Sequence, residues 1–272
     1  MNFYWVYNIP TPMLGLLVIF IVDVIGFVGL LATRPLVKFY FTRHGHHNEI
    51  AGYYFAAISL LYSLILGQVT SITYANYQEA KRTVSSEASE IISLITEVDG
   101  YPHPLKDNLN ELLITYLKQV IETDWKEHRA GLVSNQTTLA LDDLERMIIN
   151  HEPNSDNSRI LQEKVLDSIN NVVKARATRI QYVSSGLPAT FWFVIVIGAI
   201  LTISCSWLFY FPNTRLHLFL ILFFSTMVGL VVFLSLVMDN PFRGDVSVNT
   251  DGYQDAIEFY YELQSRRANK AM

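Results

Sequence analysis

Few residues of this chain have the types and spacing that could carry chemistry. His44, His46 and His47 stand beside Glu49, close enough in sequence to share a metal ion. Their spacing matches no catalytic zinc pattern and no distant ligands accompany them, so they read as a solvated connection. Asp23 interrupts an otherwise apolar run. An acid at mid-membrane is costly and defaults to a functional role, with an uncharged or interface-paired Asp as the plain alternative. Glu79 with Arg82, Glu122 with Lys126 and Asp142 with Arg146 are i+3 or i+4 pairs, ordinary on wet helical faces. Asp142 and Asp143 are neighbours in sequence, which does not aim both at one substrate. No Ser/His/Asp set, phosphate-binding loop, CxxC or HExxH is present. The expectation is a protein that is not an enzyme and holds no metal and no cofactor.

The elements that must position these residues are set by clustered hydrophobicity. Of 272 residues, 51% are hydrophobic, and they concentrate in four runs: Met13–Ala32, Ala51–Tyr74, Ala189–Phe211 and Leu216–Met238. Each meets the requirement of roughly 20 apolar residues for a bilayer span. The chain is therefore an integral membrane protein whose first partner is the lipid bilayer. The net charge of −5, without a basic face, excludes nucleic acid as a partner. Cys205, the single cysteine, lies within the third span and forms no intramolecular disulfide. The opening MNFYWVYNIPTP has no basic n-region and suits the aromatic interfacial belt better than a removable signal.

Between spans two and three the pattern is helical throughout. The period of span two runs on through Val84, Ala88, Ile91, Ile95 and Val98 until Gly100, Pro102 and Pro104 break it. A helix over Leu105–Arg129 stops at Gly131, and a shorter one covers about Thr138–Asn150. A long one, capped by Ser155 or Asp156, carries a stripe of Leu161, Val165, Ile169, Val172, Val173, Ile180 and Val183. Arg34 and Pro35 are expected to end span one, and a last helix runs from about Tyr253 to Lys270. The fold class is all-α: a four-span membrane protein with a helical extramembrane domain. The boundaries are 1–75 for spans one and two, 76–187 for the domain, 188–238 for spans three and four, and 239–272 for the turn and final helix.

Span two organises the rest. Gly52, Ala56, Ser59, Ser63, Gly67 and Ser71 recur in steps of three and four and share one helical face. A small, hydroxylated face either packs tightly against helices or lines a pathway.

Leu66, Gly67, Tyr74, Tyr77, Glu79, Ala80 and Lys81 resemble the second helix of the bestrophins, a family of ligand-gated, mostly anion-conducting pentameric channels. Asn240, Pro241, Phe242, Gly244 and Asp245 are similar to the NPFG-acid turn that follows their fourth span. Nearly the whole chain resembles a bacterial bestrophin-like domain family of unassigned function. The shared signals are His47, Asn48, Ala51 and Gly52 entering span two, Leu61 and Tyr62 within it, Glu87 and Ala88 after it, and Asp239, Pro241, Phe242 and Gly244. The resemblance implies a homo-oligomer, a pentamer, in which span two surrounds a pore carrying permeating ions. Carried over residue by residue, the bestrophin neck falls on Leu60, Leu64 and Gln68, with Gln68 where the family has an aromatic or apolar side chain. The small residues Gly52, Ala56, Ser59, Ser63 and Gly67 then form the close-packing side. The family's calcium clasp transfers poorly, because Arg243 intrudes and only Asp245 and Asp251 follow. A structural turn is the expected role of Asn240 and Asp245.

The likeness implies the cell (inner) membrane with a cytoplasmic helical domain. Arg34, Lys38 and Arg43 in the first connection favour the opposite orientation, while Lys81, Arg82, Lys174, Arg176 and Arg179 flank the membrane end of the domain. No charged ring within 51–73 sets the sign of the ion, and the resemblance favours anions. The alternative function is a non-conducting scaffold or sensor whose helical domain binds a protein partner.

Overall fold

The computed structural model describes residues 4–40 and 46–271, so Arg43 and His44 lie outside the described residues. Within them the chain forms helices and no strand. These are α1 (Thr11–Tyr40), α2 (His47–Val98), α3 (Leu105–Gln119), α4 (Trp125–Ala130), α5 (Gln136–Ile149), α6 (Asp156–Val183), α7 (Ala189–Trp207), α8 (Thr214–Met238) and α9 (Asp251–Ala271). A π-helical turn, Val120–Asp124, joins α3 to α4. Helices α1, α2, α7 and α8 are long and apolar enough to cross a membrane.

Span one does not end at Pro35, because α1 continues to Tyr40. A proline costs one backbone bond, which a helix held on both sides can lose. Val37 is buried beyond it, and before it Arg34 Nη2 donates to the Phe211 carbonyl at 3.2 Å. The expected helix over Leu105–Arg129 is interrupted by the π turn. Its wider spacing carries Glu122 out of i+4 register, and Glu122 and Lys126 form no ion pair among the described residues. Glu79–Arg82 and Asp142–Arg146 close at 3.6 and 2.8 Å. Ser155 caps α6 in a reciprocal arrangement with Ser158. On α6 the buried line is Val165, Ile169, Val172, Arg176, Arg179 and Val183, while Val173 faces outward at 41% exposure.

Packing divides the chain into two units. The first comprises Met1–Asn76, Gly186–Asp239 and Gly244–Val246. Its core joins Val22, Tyr62, Leu66, Val69, Ile195, Ala199, Ile203 and Val228. Helices α1 and α8 approach closely at Gly229, where an added Cβ would stand 3.2 Å from the Ile19 backbone. The entry to α2 is tied to the α7–α8 connection: His47 Nε2 lies 2.6 Å from the Leu208 carbonyl oxygen. Asn48 donates to the Tyr210 carbonyl at 2.7 Å and accepts from its N–H at 2.9 Å. The second unit comprises Tyr77–Ser185, Asn240–Arg243 and Ser247–Met272, and its core draws on α2, α3, α5, α6 and α9.

Tyr62 fixes α2 against α7. Its ring lies over Gly198, where an added Cβ would come within 2.6 Å of two ring carbons, and its hydroxyl donates to the Ile195 carbonyl at 3.0 Å. Gly198→Ala is therefore expected to cost about 1–3 kcal/mol by overpacking. The check is the melting temperature of the detergent-solubilised protein. It should fall in the single variant and respond much less when Tyr62→Ala has already removed the ring.

Candidate functional site

Helix α2 keeps one buried face along its whole length. In the first unit this face is Ala51, Tyr62, Leu66, Val69 and Thr73, and in the second it is Ala80, Val84, Glu87, Ile91, Leu94 and Val98. The opposite arc is open. Leu60 and Leu64 are 61% and 63% exposed, and Gln68 is exposed beside them. Ala56, Ser63 and Gly67 lie on the same arc, with Gly52 and Ser59 half-buried at its edge. Within its own chain the small stripe packs against almost nothing: no atom lies within 4 Å of a Cβ placed at Gly67. Leu64 and Gln68 also border a groove of about 460 Å³, walled on the other side by Thr190, Phe191 and Val194 of α7.

The second unit encloses a cluster of charges. Arg179 on α6 is wholly buried. Its guanidinium donates to both Glu87 oxygens at 2.8 and 3.3 Å, to Asp124 Oδ2 at 3.1 Å and to His128 Nδ1 at 3.2 Å. The Tyr116 hydroxyl donates to Glu87 Oε1 at 2.7 Å. Thr137 Oγ1 donates to Asp124 and accepts from Arg176, whose Nη2 lies 2.7 Å away and also donates to the Ser134 carbonyl at 3.1 Å. The rings of Trp125 and Tyr253 flank the Arg179 guanidinium at 5.6 and 5.9 Å. Two guanidiniums face two carboxylates, so the cluster is neutral as a whole, a condition for burying it.

The surroundings tune each group. Burial alone would lower the Arg179 pKa, yet the adjoining Glu87 holds it well above the usual range. Burial, reinforced by Glu87, raises the hydroxyls of Tyr116 and Tyr253 well above theirs. Burial followed by the nearby guanidiniums of Arg179 and Arg176 lowers His128 to about 3. Val120, Asp124 and His128 are all buried and follow in steps of four, on the face that the π turn and α4 turn inward.

A family model described as the bestrophin-like domain matches residues 20–253. The chain belongs to the bestrophin-like family. Among solved structures, a bacterial bestrophin homologue from Klebsiella pneumoniae is similar at a TM-score of 0.66 and 12% identity, over 92% of this chain and 98% of that one. A variant of that homologue carrying a single mutation gives 0.65 and 13%, over 92% and 97%. A further crystal structure, of a membrane protein variant, gives 0.67 and 12%, over 92% and 98%. At these identities the likeness is one of fold. No curated protein matches the chain.

The motif residues of this bestrophin-like chain divide between packing and surface. Tyr62 and the His47–Asn48 pair make the structural contacts already described, whereas Leu61 is exposed. Tyr74 is half-exposed, Tyr77 packs against the second unit's core, and Glu79 is at the surface. In the turn after α8, Asp239 accepts from the Leu187 N–H at 2.6 Å, and Pro241 accepts from the Val248 N–H at 2.8 Å. Phe242 is buried beside Trp125 and His128, at 5.5 and 5.4 Å between rings. Asn240 is buried, and Gly244 adopts φ +77°, a left-handed turn open to glycine. Asp245 accepts from the Thr11 N–H at 2.8 Å, at the start of α1. Asp23 accepts from Ser225 at 2.6 Å and from Thr226 at 3.1 Å, a polar contact between α1 and α8. Among the described residues no three His, Cys, Asp or Glu gather into a metal-binding group.

Arg176 and Arg179 do not flank the membrane as free charges, since both are buried and ion-paired or hydrogen-bonded. They occupy core positions in the line Val165–Ile169–Val172–Arg176–Arg179–Val183, as Glu87 does on α2 and Asp124 and His128 do after α3. Charge on an apolar stripe was the signal for the whole cluster. Arg179→Met is expected to destabilise the second unit by about 3–5 kcal/mol, because it leaves two carboxylates buried without their cation. Lys174→Ala, at an exposed position, should stay within about 0.5 kcal/mol. Denaturant unfolding of the two variants side by side checks the contrast.

Proposed function

We propose that this bestrophin-like protein is a pentameric ion channel of the cell membrane, with α2 of each copy lining the central pore. The observation that carries this reading is the contrast between exposed faces in the first unit. The surfaces of α1, α7 and α8 are bulky and apolar, as at Phe20, Phe27, Phe193, Phe219 and Phe223. The exposed surface of α2 carries bulky side chains too, among them Tyr53, Leu60, Leu61, Leu64 and Tyr74, but its open arc intersperses them with Ala56, Ser63, Gly67, Gln68 and Ser71. Lipid rewards the first composition and gains little from the second, which suits neighbouring helices and water. Ala56, Ser63 and Gly67 let adjacent copies approach, Leu60 and Leu64 form apolar rings that close by dewetting, and Gln68 makes the next ring wetter.

Anions are the permeating ions in this reading. Arg82 is exposed on the continuation of the same α2 face, followed by Ser85, Ser86, Ser89, Ser93 and Thr96. Glu79 lies 3.6 Å from Arg82 and offsets it in part, and Lys81 is exposed beside them. Two cations against one acid leave one positive charge per copy, repeated around the axis. The bestrophin likeness supports a cytoplasmic helical domain in this reading. Conduction needs no catalytic step.

Mass measurement of the detergent-solubilised protein is expected to give five copies, and purified protein in liposomes is expected to conduct. Leu64→Ala should raise flux several-fold, and Arg82→Glu should move the zero-current potential in a salt gradient toward the cation's. A monomer or dimer without flux overturns the channel and leaves a scaffold whose domain binds a protein. Conduction unaffected by Leu64→Ala removes that ring from the pore.

A further inference from the structure

We propose that the hydrogen bond between His128 and Arg179 is an acid-operated latch of the helical domain, in which one proton taken up by His128 frees α4 from α6. A guanidinium has donors only, and Arg179 Nη1 lies 3.2 Å from His128 Nδ1 and 3.5 Å from Nε2, so the ring nitrogen that accepts must carry no proton. The contact therefore exists only while the imidazole is neutral. A second proton on the ring leaves neither nitrogen able to accept and sets a third cation against Arg179 and Arg176.

The groups around His128 offer that charge no counterpart of its own. From α6 come Arg179 and Arg176, and behind Arg179 stand Glu87 of α2, Tyr116 of α3 and Tyr253 of α9. On its own segment are Asp124 and Trp125, and from the turn after α8 comes Phe242. The two carboxylates already hold Arg179 on both sides, and Asp124 also accepts from Thr137. Protonation takes the cluster from neutral to +1 inside a dry core. The lowering of the imidazole to about 3 agrees with this geometry and has burial as its first cause.

The element that responds is α4, with Trp125 Nε1 donating to the Val248 carbonyl at 3.1 Å and the Arg243 guanidinium against Gly131 at its end. It is six residues long, with the π turn before it and the left-handed Gly131 after it, and its buried residues are Trp125 and His128. The sign follows from the direction of the shift. His128 binds its proton more weakly latched than open, so the latched form is fully favoured above pH 6.5. It is lost as pH falls from there toward 3, by up to about tenfold in the open-to-latched ratio per pH unit.

Hydrogen exchange at the amides of 125–131 in the full-length protein tests the latch, after correction for intrinsic rates. Protection in the wild type is expected to fall as pH drops from 7.5 to 5, while in His128→Gln, whose amide oxygen still accepts from Arg179, it stays flat. Equal pH dependence in both proteins, or none in the wild type, overturns the proposal. Should the variant fail to fold, the imidazole resonance of His128 in labelled wild type decides. A midpoint well below the ordinary histidine value of about 6.5, tracking the loss of α4 protection, supports the latch. A midpoint at that ordinary value overturns it. None of these readouts depends on conduction, so the latch and the channel stand or fall separately.

Discussion

A guanidinium cannot be buried without its counter-charges, and that constraint fixes most of the second unit. Arg179 is inaccessible to water, so Glu87 and Asp124 must be delivered to it from α2 and from the π turn, and His128 must present a lone pair. Each delivered group sets an element's rotation. Glu87 orients the extension of α2, Asp124 and His128 orient the segment around the π turn, and Thr137 orients α5 by bridging Asp124 to Arg176. Such clusters add less to net stability than their bonds suggest, because every charge has been taken out of water. What they enforce is register. An apolar core tolerates small slips, whereas a helix that slips here strands a charge.

Helix α2 links this requirement to the membrane, since one uninterrupted helix runs from His47 to Val98. Its buried face stays in phase while its role changes. In the first unit Tyr62, Leu66 and Val69 meet apolar neighbours on the same side that holds Glu87 in the second. The open arc is in phase too, so Leu60, Leu64 and Gln68 share a face with Arg82. The His47 and Asn48 contacts to the α7–α8 connection pin the beginning of the helix, which makes that pair structural and leaves its imidazole occupied.

Much of this was legible in the residues. The four apolar runs, the break at Gly100–Pro104 and the cap at Ser155 all act over a few residues, so local pattern reports them faithfully. Pro35 and the π turn were not legible, because tertiary anchoring on both sides let a helix pass through a local defect. The Arg179 cluster was hidden for a different reason. Arg176 and Arg179 look like solvated charges until the apolar line they interrupt is followed, and their partners lie far away in sequence.

By itself the sequence determined the fold class, the spans and the family signature, because hydrophobic period and turn chemistry are properties of neighbouring residues. Only the tertiary structure decided which faces were buried. It placed Leu60, Leu64 and Gln68 with Ala56, Ser63 and Gly67 on an open arc of α2, and left Gly52 and Ser59 half-buried at its edge. It also turned scattered charges into one closed cluster, because burial and ion pairing depend on which distant helices meet.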